Sequence, residues 1–322
     1  MLGFILRRLA TSSLLLFLVL SGTFFLLHLA PGDPIQLGEL HGASAETRAY
    51  LESLYGLDQP LHRQYLSWLG SVLQGDWGVS FALRRPALTV VLERLPASLL
   101  LSVAVILLEH VLGLWIGVAA ARRPGGRLDV HSRWSSLLLH AVPSFVVAIV
   151  AIEIFAVRLD WLPGQHMTSD EHHRLGPLGR AFDVLQHLIL PASALALARF
   201  AAVARYVRNG MLDILSQDYI RTARAAGLSE RRIFWVHALP NCAGPLVQRL
   251  GFSLPGLLSG ALILEVIFSW PGIGSVMYDA ILGRDYPVVL VATALSATLT
   301  IFGHLAADLL YAWIDPRVRD HD

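Results

Sequence analysis

The 322-residue chain contains no lysine and only one cysteine, Cys242. The phosphate-binding loop G-x-x-x-x-G-K-[ST] needs its lysine at the nucleotide phosphates, so the chain cannot contain that motif, and any driving nucleotide must bind another subunit. A single cysteine excludes an internal disulfide bond and a thiolate metal cage built by one chain. Charged residues are also scarce, at 15% of the chain, where soluble domains have roughly 25%.

Hydrophobic residues dominate instead and make up 55% of the chain. Six apolar runs reach the length of about 20 residues that an α-helix needs to cross a bilayer. The sequence therefore predicts an all-α integral membrane protein with six spans. These lie near Leu9–Leu29, Ala97–Ala121, Ser135–Val157, Val184–Ala204, Leu246–Phe268 and Val288–Ile314. Arg7 and Arg8 precede the first run, but it is too long for the apolar region of a signal peptide, so we expect a retained span.

The arginines are distributed unevenly between the two sides that these spans define. Arginine-rich short loops mark the cytoplasmic side of a membrane. One side receives Arg7, Arg8, Arg122, Arg123, Arg127, Arg133, Arg205, Arg208, Arg221, Arg224, Arg231, Arg232, Arg317 and Arg319. The opposite side has fewer arginines, spread over a longer stretch that is rich in Asp and Glu. We therefore expect both termini to face the cytoplasm.

The same pattern divides the chain into four parts. Residues 1–30 form the cytoplasmic N-terminal end and first span, 31–96 an extracytoplasmic insertion, 97–314 a five-span core and 315–322 a cytoplasmic tail. The insertion is too long for a simple connection. It carries two amphipathic helical patterns, one capped by Ser44 and one that opens at Pro60 and stops at Gly75. We expect these helices to lie on the outer membrane surface or to cover the mouth of a cavity.

An arginine-rich loop, 205–245, separates the fourth and fifth spans. Its central part, Gln217–Pro240, reads QDYIRTARAAGLSERRIFWVHALP. Ser216 is the predicted N-cap of a first helix, and Gly227 can end that helix in a left-handed conformation. Ser229 can cap a second helix that runs to the closing proline. A short helix braced by a second one is typical of a docking surface, although a helix lying on the membrane has a similar composition.

Several residues inside the predicted spans are unusual for a bilayer. Ionisable side chains there line a polar path or pair across helices, and Glu109, Glu153 and Glu265 are candidates for lining a solute pathway. The others are His110, Arg199, His304 and Asp308. Gly113–Gly117 and Gly256–Gly260 have the spacing of close helix packing. Prolines that can interrupt the helical hydrogen bonding are Pro143, Pro191 and Pro255.

The external segment from Arg158 to Asp183 contains His166, His172 and His173. A metal site is one interpretation, and solvated loop histidines are the other. Neither H-E-x-x-H nor the spacing of a serine, histidine and carboxylate triad occurs in the chain, which argues against hydrolytic chemistry.

The arginine-rich loop resembles the EAA loop of ABC-importer permeases, whose pattern is E-A-A, three residues, Gly, nine residues and Ile-x-Leu-Pro. Ala223, Gly227, Leu239 and Pro240 fall on this pattern, whereas Arg221 and Thr222 replace Glu-Ala and His237 replaces Ile. These departures resemble the dipeptide/oligopeptide/nickel branch, which typically reads DYIRTARAKGL, with Ala226 here in place of the lysine. Similar signatures in family order are APGDP (30–34), YGLDQPL (55–61), GDWGVSF (75–81), HLILPA (187–192), SWPGIG (269–274), RDYP (284–287) and DPR (315–317).

The resemblance implies a six-span type I importer transmembrane domain in a bacterial cytoplasmic (inner) membrane. It also implies a second homologous permease subunit, two cytoplasmic ATPase subunits and an extracytoplasmic solute-binding protein as partners, with no nucleic acid. ATP and magnesium would bind the ATPases, and no cofactor would bind this chain. The family motif assigns ATPase coupling to Gln217, Asp218, Tyr219, Arg221, Thr222, Ala223, Arg224, Gly227, Leu239 and Pro240.

Short peptides are the expected solute, and nickel, a metal chelate, glutathione or another small solute is the alternative. Two other interpretations belong to different functional classes and not only to different solutes. A stand-alone secondary transporter would often show two similar halves, and the sequence has no clear repeat. An intramembrane enzyme would need catalytic spacing around Glu109 and His110 or in the histidine-containing segment, and none is present.

Overall fold

A computed structural model describes residues 2–30, 58–242, 246 and 261–314. Within these ranges the regular structure is helical, apart from an isolated antiparallel bridge between Val79 and Pro86. The predicted helix after Ser44, the second glycine pair at 256–260, Pro255 and the tail 315–322 lie outside the described residues, as does most of the predicted fifth span.

The helices are named here in chain order. They are α1 (Leu2–Leu29), α2 (Leu61–Leu73), α3 (Ala87–Arg122), α4 (Arg127–Ala141), α5 (Ser144–Ala151), α6 (Pro177–Leu215), α7 (Asp218–Ala225), α8, α9 (Ile273–Leu282) and α10 (Tyr286–Ile314). A π-helical stretch, Ile152–Arg158, continues α5. The label α8 covers three consecutive segments: Glu230–Arg232, the π-helical Ile233–Ala238, and Leu239–Cys242.

Four of the described helices are long and apolar enough to cross a membrane. They contain Ala10–Leu29, Ala87–Arg122, Pro177–Leu215 and Tyr286–Ala307. These correspond to the first, second, fourth and sixth predicted spans. The described residues therefore support an all-helical membrane protein, while the count of six spans stays a prediction.

The predicted third span, Ser135–Val157, is interrupted at Pro143, one of the prolines expected to break the helical hydrogen bonding. α4 ends at Ala141, Val142 is extended (φ −89°, ψ 124°), and α5 begins after Pro143. The ring of a proline clashes with a helical residue before it, so Val142 is forced out of the helical region. Pro191 behaves differently, because α6 continues through it, as membrane helices allow when neighbouring groups satisfy the freed carbonyl.

By its internal contacts the chain falls into two compact units. The first comprises Met1–Ser98 and Pro271–Ile301, and the second comprises Leu99–Trp270 and Phe302–Asp322.

In the first unit, the aromatic face of α2 packs on α1. The ring centroids of Tyr65 and Trp68 lie 5.3 and 5.1 Å from that of Phe24, and the Tyr65 hydroxyl lies 2.8 Å from that of Ser21. α2 also helps to line a cavity of about 350 Å³. The predicted helix between Pro60 and Gly75 is thus confirmed, and Gly75 follows it with φ +86°.

A buried carboxylate joins two distant sequence motifs of the first unit. Asp285, from RDYP, accepts hydrogen bonds from the Ser80 hydroxyl and from the backbone N–H groups of Phe81 and Ala82 (3.1 and 3.2 Å). The last turn of GDWGVSF is therefore held at the start of α10. This contact accounts for one polar residue of each motif, Ser80 and Asp285.

In the second unit, α3 and α6 approach closely at the first glycine pair. A Cβ atom added at Gly113 would lie 2.5 Å from Val203 Cβ, and one added at Gly117 would lie 2.7 Å from the carbonyl oxygen of Ala204. Only glycine leaves room for this contact, so the packing role predicted from the spacing is confirmed for this pair.

Candidate functional site

The arginine-rich loop folds as two helices, α7 and α8, directly after α6. Gln217 is the N-cap of α7, with extended backbone (φ −77°, ψ 152°). The prediction that Ser216 caps this helix was wrong, because Ser216 is still the C-cap of α6 and its hydroxyl donates to the Asp213 carbonyl (2.7 Å). α6 persists one residue further than the local sequence suggests, which moves the cap to Gln217.

α7 ends in a Schellman motif, as the predicted left-handed glycine requires. Gly227 has φ +80°. Its N–H donates to the Arg224 carbonyl (3.0 Å), and the Leu228 N–H donates to the Ala223 carbonyl (3.2 Å). These two bonds satisfy carbonyls that the helix end would otherwise leave unpaired.

α8 begins with the predicted cap, since the Ser229 hydroxyl accepts from the Arg232 N–H (3.4 Å). The helix does not stop at Pro240 but continues to Cys242. The π-helical turn over Ile233–Ala238 precedes the proline. A wider turn relieves the clash between a proline ring and the preceding carbonyls, so the helix can pass through.

One face of α7 and α8 is anchored in the apolar core of the second unit. Ile220 and Ile233 are fully buried, and Phe234 is 5% exposed. They pack with α6 side chains such as Val207 and Met211. The sequence analysis did not single out Ile220, although its spacing from Ala223 is that of one helix face and was the available signal.

The opposite face of α7 is exposed and polar. The side chain of Asp218 is 93% exposed and that of Arg221 is 73% exposed, and they form a 3.2 Å ion pair. Tyr219 is 42% exposed, and Gln217 and Thr222 are exposed beside it. Predicted coupling residues are thus brought together on one surface, which we call the α7 surface.

Two other predicted coupling residues lie at the edge of this surface. Arg224 Nε donates to Glu230 Oε1 (2.8 Å), which ties the end of α7 to the start of α8. The hydrogen bond to this carboxylate raises the pKa of Arg224 above its usual value. The sequence analysis missed Glu230, because a partner six residues away across a turn follows no helical spacing. Leu239 packs against the core from α8, and Pro240 is exposed.

The candidate pathway residues lie in different surroundings. Glu109 is 2% exposed and its Oε2 accepts from Arg199 Nε of α6 (2.8 Å). Glu153 is half exposed and accepts from Arg158 (2.9 Å). Glu265 is 1% exposed. Pairing across helices, the alternative to a pathway role, is therefore seen for Glu109, and the pathway assignments stay predictions.

Of the histidines in the segment predicted to be external, one binds a carboxylate and another is exposed. His172 Nδ1 lies 2.7 Å from Asp183 Oδ2, and the Ser169 N–H donates to the same carboxylate (3.1 Å). His173 is exposed. Among the residues that the structure covers, no group of three or more His, Cys, Asp or Glu side chains could hold a metal ion.

Two family profiles match the chain. Residues 113–320 match the binding-protein-dependent transport system inner membrane component. Residues 1–102 match the N-terminal domain of the membrane component of the same transport systems. Together they span nearly the whole sequence.

Full-length relatives agree with these profiles. The oligopeptide transport system permease protein of Bacillus subtilis (strain 168) is 37% identical, and the di/tripeptide transport system permease protein of Pseudomonas aeruginosa (strain UCBPP-PA14) is 39% identical. Each match covers 99% of both chains. The dipeptide transport system permease protein of Escherichia coli (strain K12) is 36% identical over 99% of both chains.

A solved structure shares the fold. A chain of the MetNI methionine ABC transporter in an inward-facing conformation superposes with a TM-score of 0.53 at 16% identity, covering 71% of this chain and 98% of that one. This structural match shows the fold alone, whereas the family profiles and the full-length relatives show the family. The chain belongs to the inner membrane components of binding-protein-dependent transport systems, as a permease subunit in the dipeptide/oligopeptide/nickel branch of the ABC importers.

Proposed function

We propose that this permease forms half of the translocation pathway of an ATP-driven importer of short peptides. The single observation that carries the proposal is full-length similarity, at 36–39% identity, to permeases named for oligopeptides, dipeptides and tripeptides. A second homologous permease subunit completes the pathway. An extracytoplasmic binding protein delivers the peptide, and the N- and C-termini of this chain face the cytoplasm.

In this proposal the α7 surface is the contact with a cytoplasmic ATPase subunit. Its exposed charges and tyrosine suit a partner's polar groove, while buried Ile220 and the Arg224–Glu230 pair hold α7 firmly against the chain's own core. ATP binding closes the ATPase pair and moves α7, and this motion turns the translocation pathway from inward-facing to outward-facing. Hydrolysis, which takes place on the ATPase chains with magnesium, resets it.

The test is uptake by the complete complex, reconstituted in liposomes with its binding protein and ATP. Labelled di- and tripeptides are expected to accumulate, and unlabelled peptide in excess should abolish the signal. Nickel chelates and glutathione serve as competitors for the alternative solutes. Accumulation that competes with either of these but not with peptide would overturn the peptide assignment, and accumulation without ATP would overturn the importer assignment.

Replacing Gly227 with valine is expected to lower ATP-driven uptake strongly while the chain still inserts in the membrane. No atom lies within 4 Å of an added Cβ, so the obstacle is the backbone conformation at φ +80° and not a clash. A β-branched residue there costs about 1–3 kcal/mol, which favours unwinding of the Schellman motif and displacement of α7.

Gly227→Asn is the matched control, because asparagine tolerates the left-handed region. It should keep most of the uptake. Equal uptake in the valine variant, the asparagine variant and the wild type would contradict this role of Gly227.

A further inference from the structure

The turn between α3 and α4 is built around one buried carboxylate. Asp129, in the first turn of α4, is 1% exposed. The N–H of Gly125 donates to its Oδ2 (2.8 Å), and Gly125 itself has φ +76°. A carboxylate is thus placed at the helix N-terminus, where the backbone N–H groups and the helix dipole favour negative charge.

Arg208 of α6 binds this carboxylate with two hydrogen bonds. Its Nε donates to Asp129 Oδ1 (2.5 Å) and its Nη2 donates to Oδ2 (2.9 Å). Arg133 adds a second basic group, with its Nη2 3.5 Å from Asp129 Oδ2. The hydrogen bond from Arg208 contributes most to holding the pKa of Asp129 below its usual range, so the carboxylate is charged at neutral pH. Bidentate pairing of this kind fixes direction as well as distance.

The position of Arg208 connects this pair to the α7 surface. Arg208 lies seven residues before Leu215, the last residue of α6, so about two helical turns separate the ion pair from the start of α7. In that interval Gly210 packs on Cys242 of α8, and a Cβ added there would lie 3.2 Å from the cysteine Cβ. The Arg122 guanidinium also lies over the Phe234 ring of α8, at 5.7 Å from its centroid.

The ends of α3 and α6 therefore meet α7 and α8 in one packed region. The Asp129–Arg208 pair joins the start of α4 to this region and is its directional contact. Apolar packing alone would hold these helices together, but it would let them slide. A buried ion pair often adds little net stability compared with apolar replacements, so the direction that this pair imposes explains it better than stability does.

We propose that Asp129 and Arg208 are a positioning pair that transmits the motion of α7 to α3 and α4. This inference rests on the proposed function of the α7 surface. With the pair intact, a displacement of α7 moves the end of α6 and pulls the α3–α4 turn with it. Without the pair, α7 still binds its ATPase and permits hydrolysis, but the membrane helices follow incompletely.

The experiment compares Asp129→Asn, Arg208→Gln and the double variant in the reconstituted complex. The measurements are solute molecules imported per ATP hydrolysed, co-purification of the ATPases and thermal stability. Asp129→Asn leaves the largely buried Arg208 without its carboxylate, and Arg208→Gln leaves the buried Asp129 with only the more distant Arg133. The double variant leaves neither of the two charges. The double variant should therefore recover stability. Arg127→Gln is the matched control, since it removes one charge from an exposed position of the same helix.

We expect both singles and the double variant to import about three- to thirtyfold fewer solute molecules per ATP, in the range of known coupling effects. ATPase co-purification should stay at the wild-type level. A double variant that recovers import together with stability would show a merely structural role and overturn the inference. Single variants that import as many solute molecules per ATP as the wild type would also overturn it. A wild-type complex without ATP-driven import would instead refute the proposed function itself.

Discussion

Reversing one charge on the α7 surface, Arg221→Glu, is expected to abolish most ATP-driven uptake while membrane insertion is unchanged. The Arg221 side chain is 73% exposed, and the contact described for it is with Asp218, itself 93% exposed. Exposed ion pairs contribute little to folding. The variant chain should therefore fold and insert normally.

The substitution is expected to weaken binding of the ATPase subunit much more than it weakens folding. Glutamate at 221 next to Asp218 makes the centre of the α7 surface acidic, and like charges placed together at an interface cost several kcal/mol. We expect at least about a tenfold fall in uptake, since each 1.4 kcal/mol is a factor of ten. Uptake per inserted chain and recovery of the ATPases on a tagged permease are the measurements.

Arg174→Glu is the control for this charge reversal, because Arg174 is also exposed and belongs to the predicted external segment. It should leave ATPase recovery unchanged. If the Arg221→Glu variant took up solute at the wild-type level, the α7 surface would not be the contact with the ATPase subunit.

Filling the close contact between α3 and α6 with Gly117→Val is expected to lower the stability of the protein strongly. The new Cβ would meet the Ala204 carbonyl at 2.7 Å and the Val207 Cβ at 2.7 Å. A backbone oxygen cannot rotate away as a flexible side chain can, so the helices must separate. Overpacking of this kind costs about 1–3 kcal/mol, occasionally more.

Gly22→Val provides the matched control, because a Cβ at Gly22 of α1 meets no atom within 4 Å. Thermal unfolding of the purified complex should show a lower midpoint for the valine at 117 and little change for the valine at 22. Similar midpoints for the two variants would show that the α3–α6 approach is looser than the structure has it.

Local signals in the sequence were enough to predict the ends of several helices. Pro60, Gly227 and Ser229 have the roles predicted for them, because caps and left-handed glycines are decided by one or two neighbouring residues. The same holds for Gly113 and Gly117, whose spacing predicts close packing without naming the partner helix.

Features that depend on distant residues were not predictable in the same way. Glu109 pairs with Arg199, ninety positions further along the chain. The two residues meet because α3 packs on α6, and no local sequence pattern predicts that packing.

The most direct test of the α7 surface is a cross-link between α7 and the ATPase. Cys242 is buried and is the chain's single cysteine, so Cys242→Ala gives a background in which one cysteine at a time can be introduced. Tyr219→Cys is placed on the α7 surface. Leu66→Cys is the control, since Leu66 is 63% exposed on α2.

In membrane vesicles that contain the whole complex, a short bifunctional thiol reagent should join the cysteine at 219 to an ATPase subunit, and the yield should change when ATP is added. The cysteine at 66 should give no such product and should instead react with an impermeant maleimide applied to the extracytoplasmic side. Labelling of the cysteine at 219 from that same side, without any ATPase cross-link, would contradict the account.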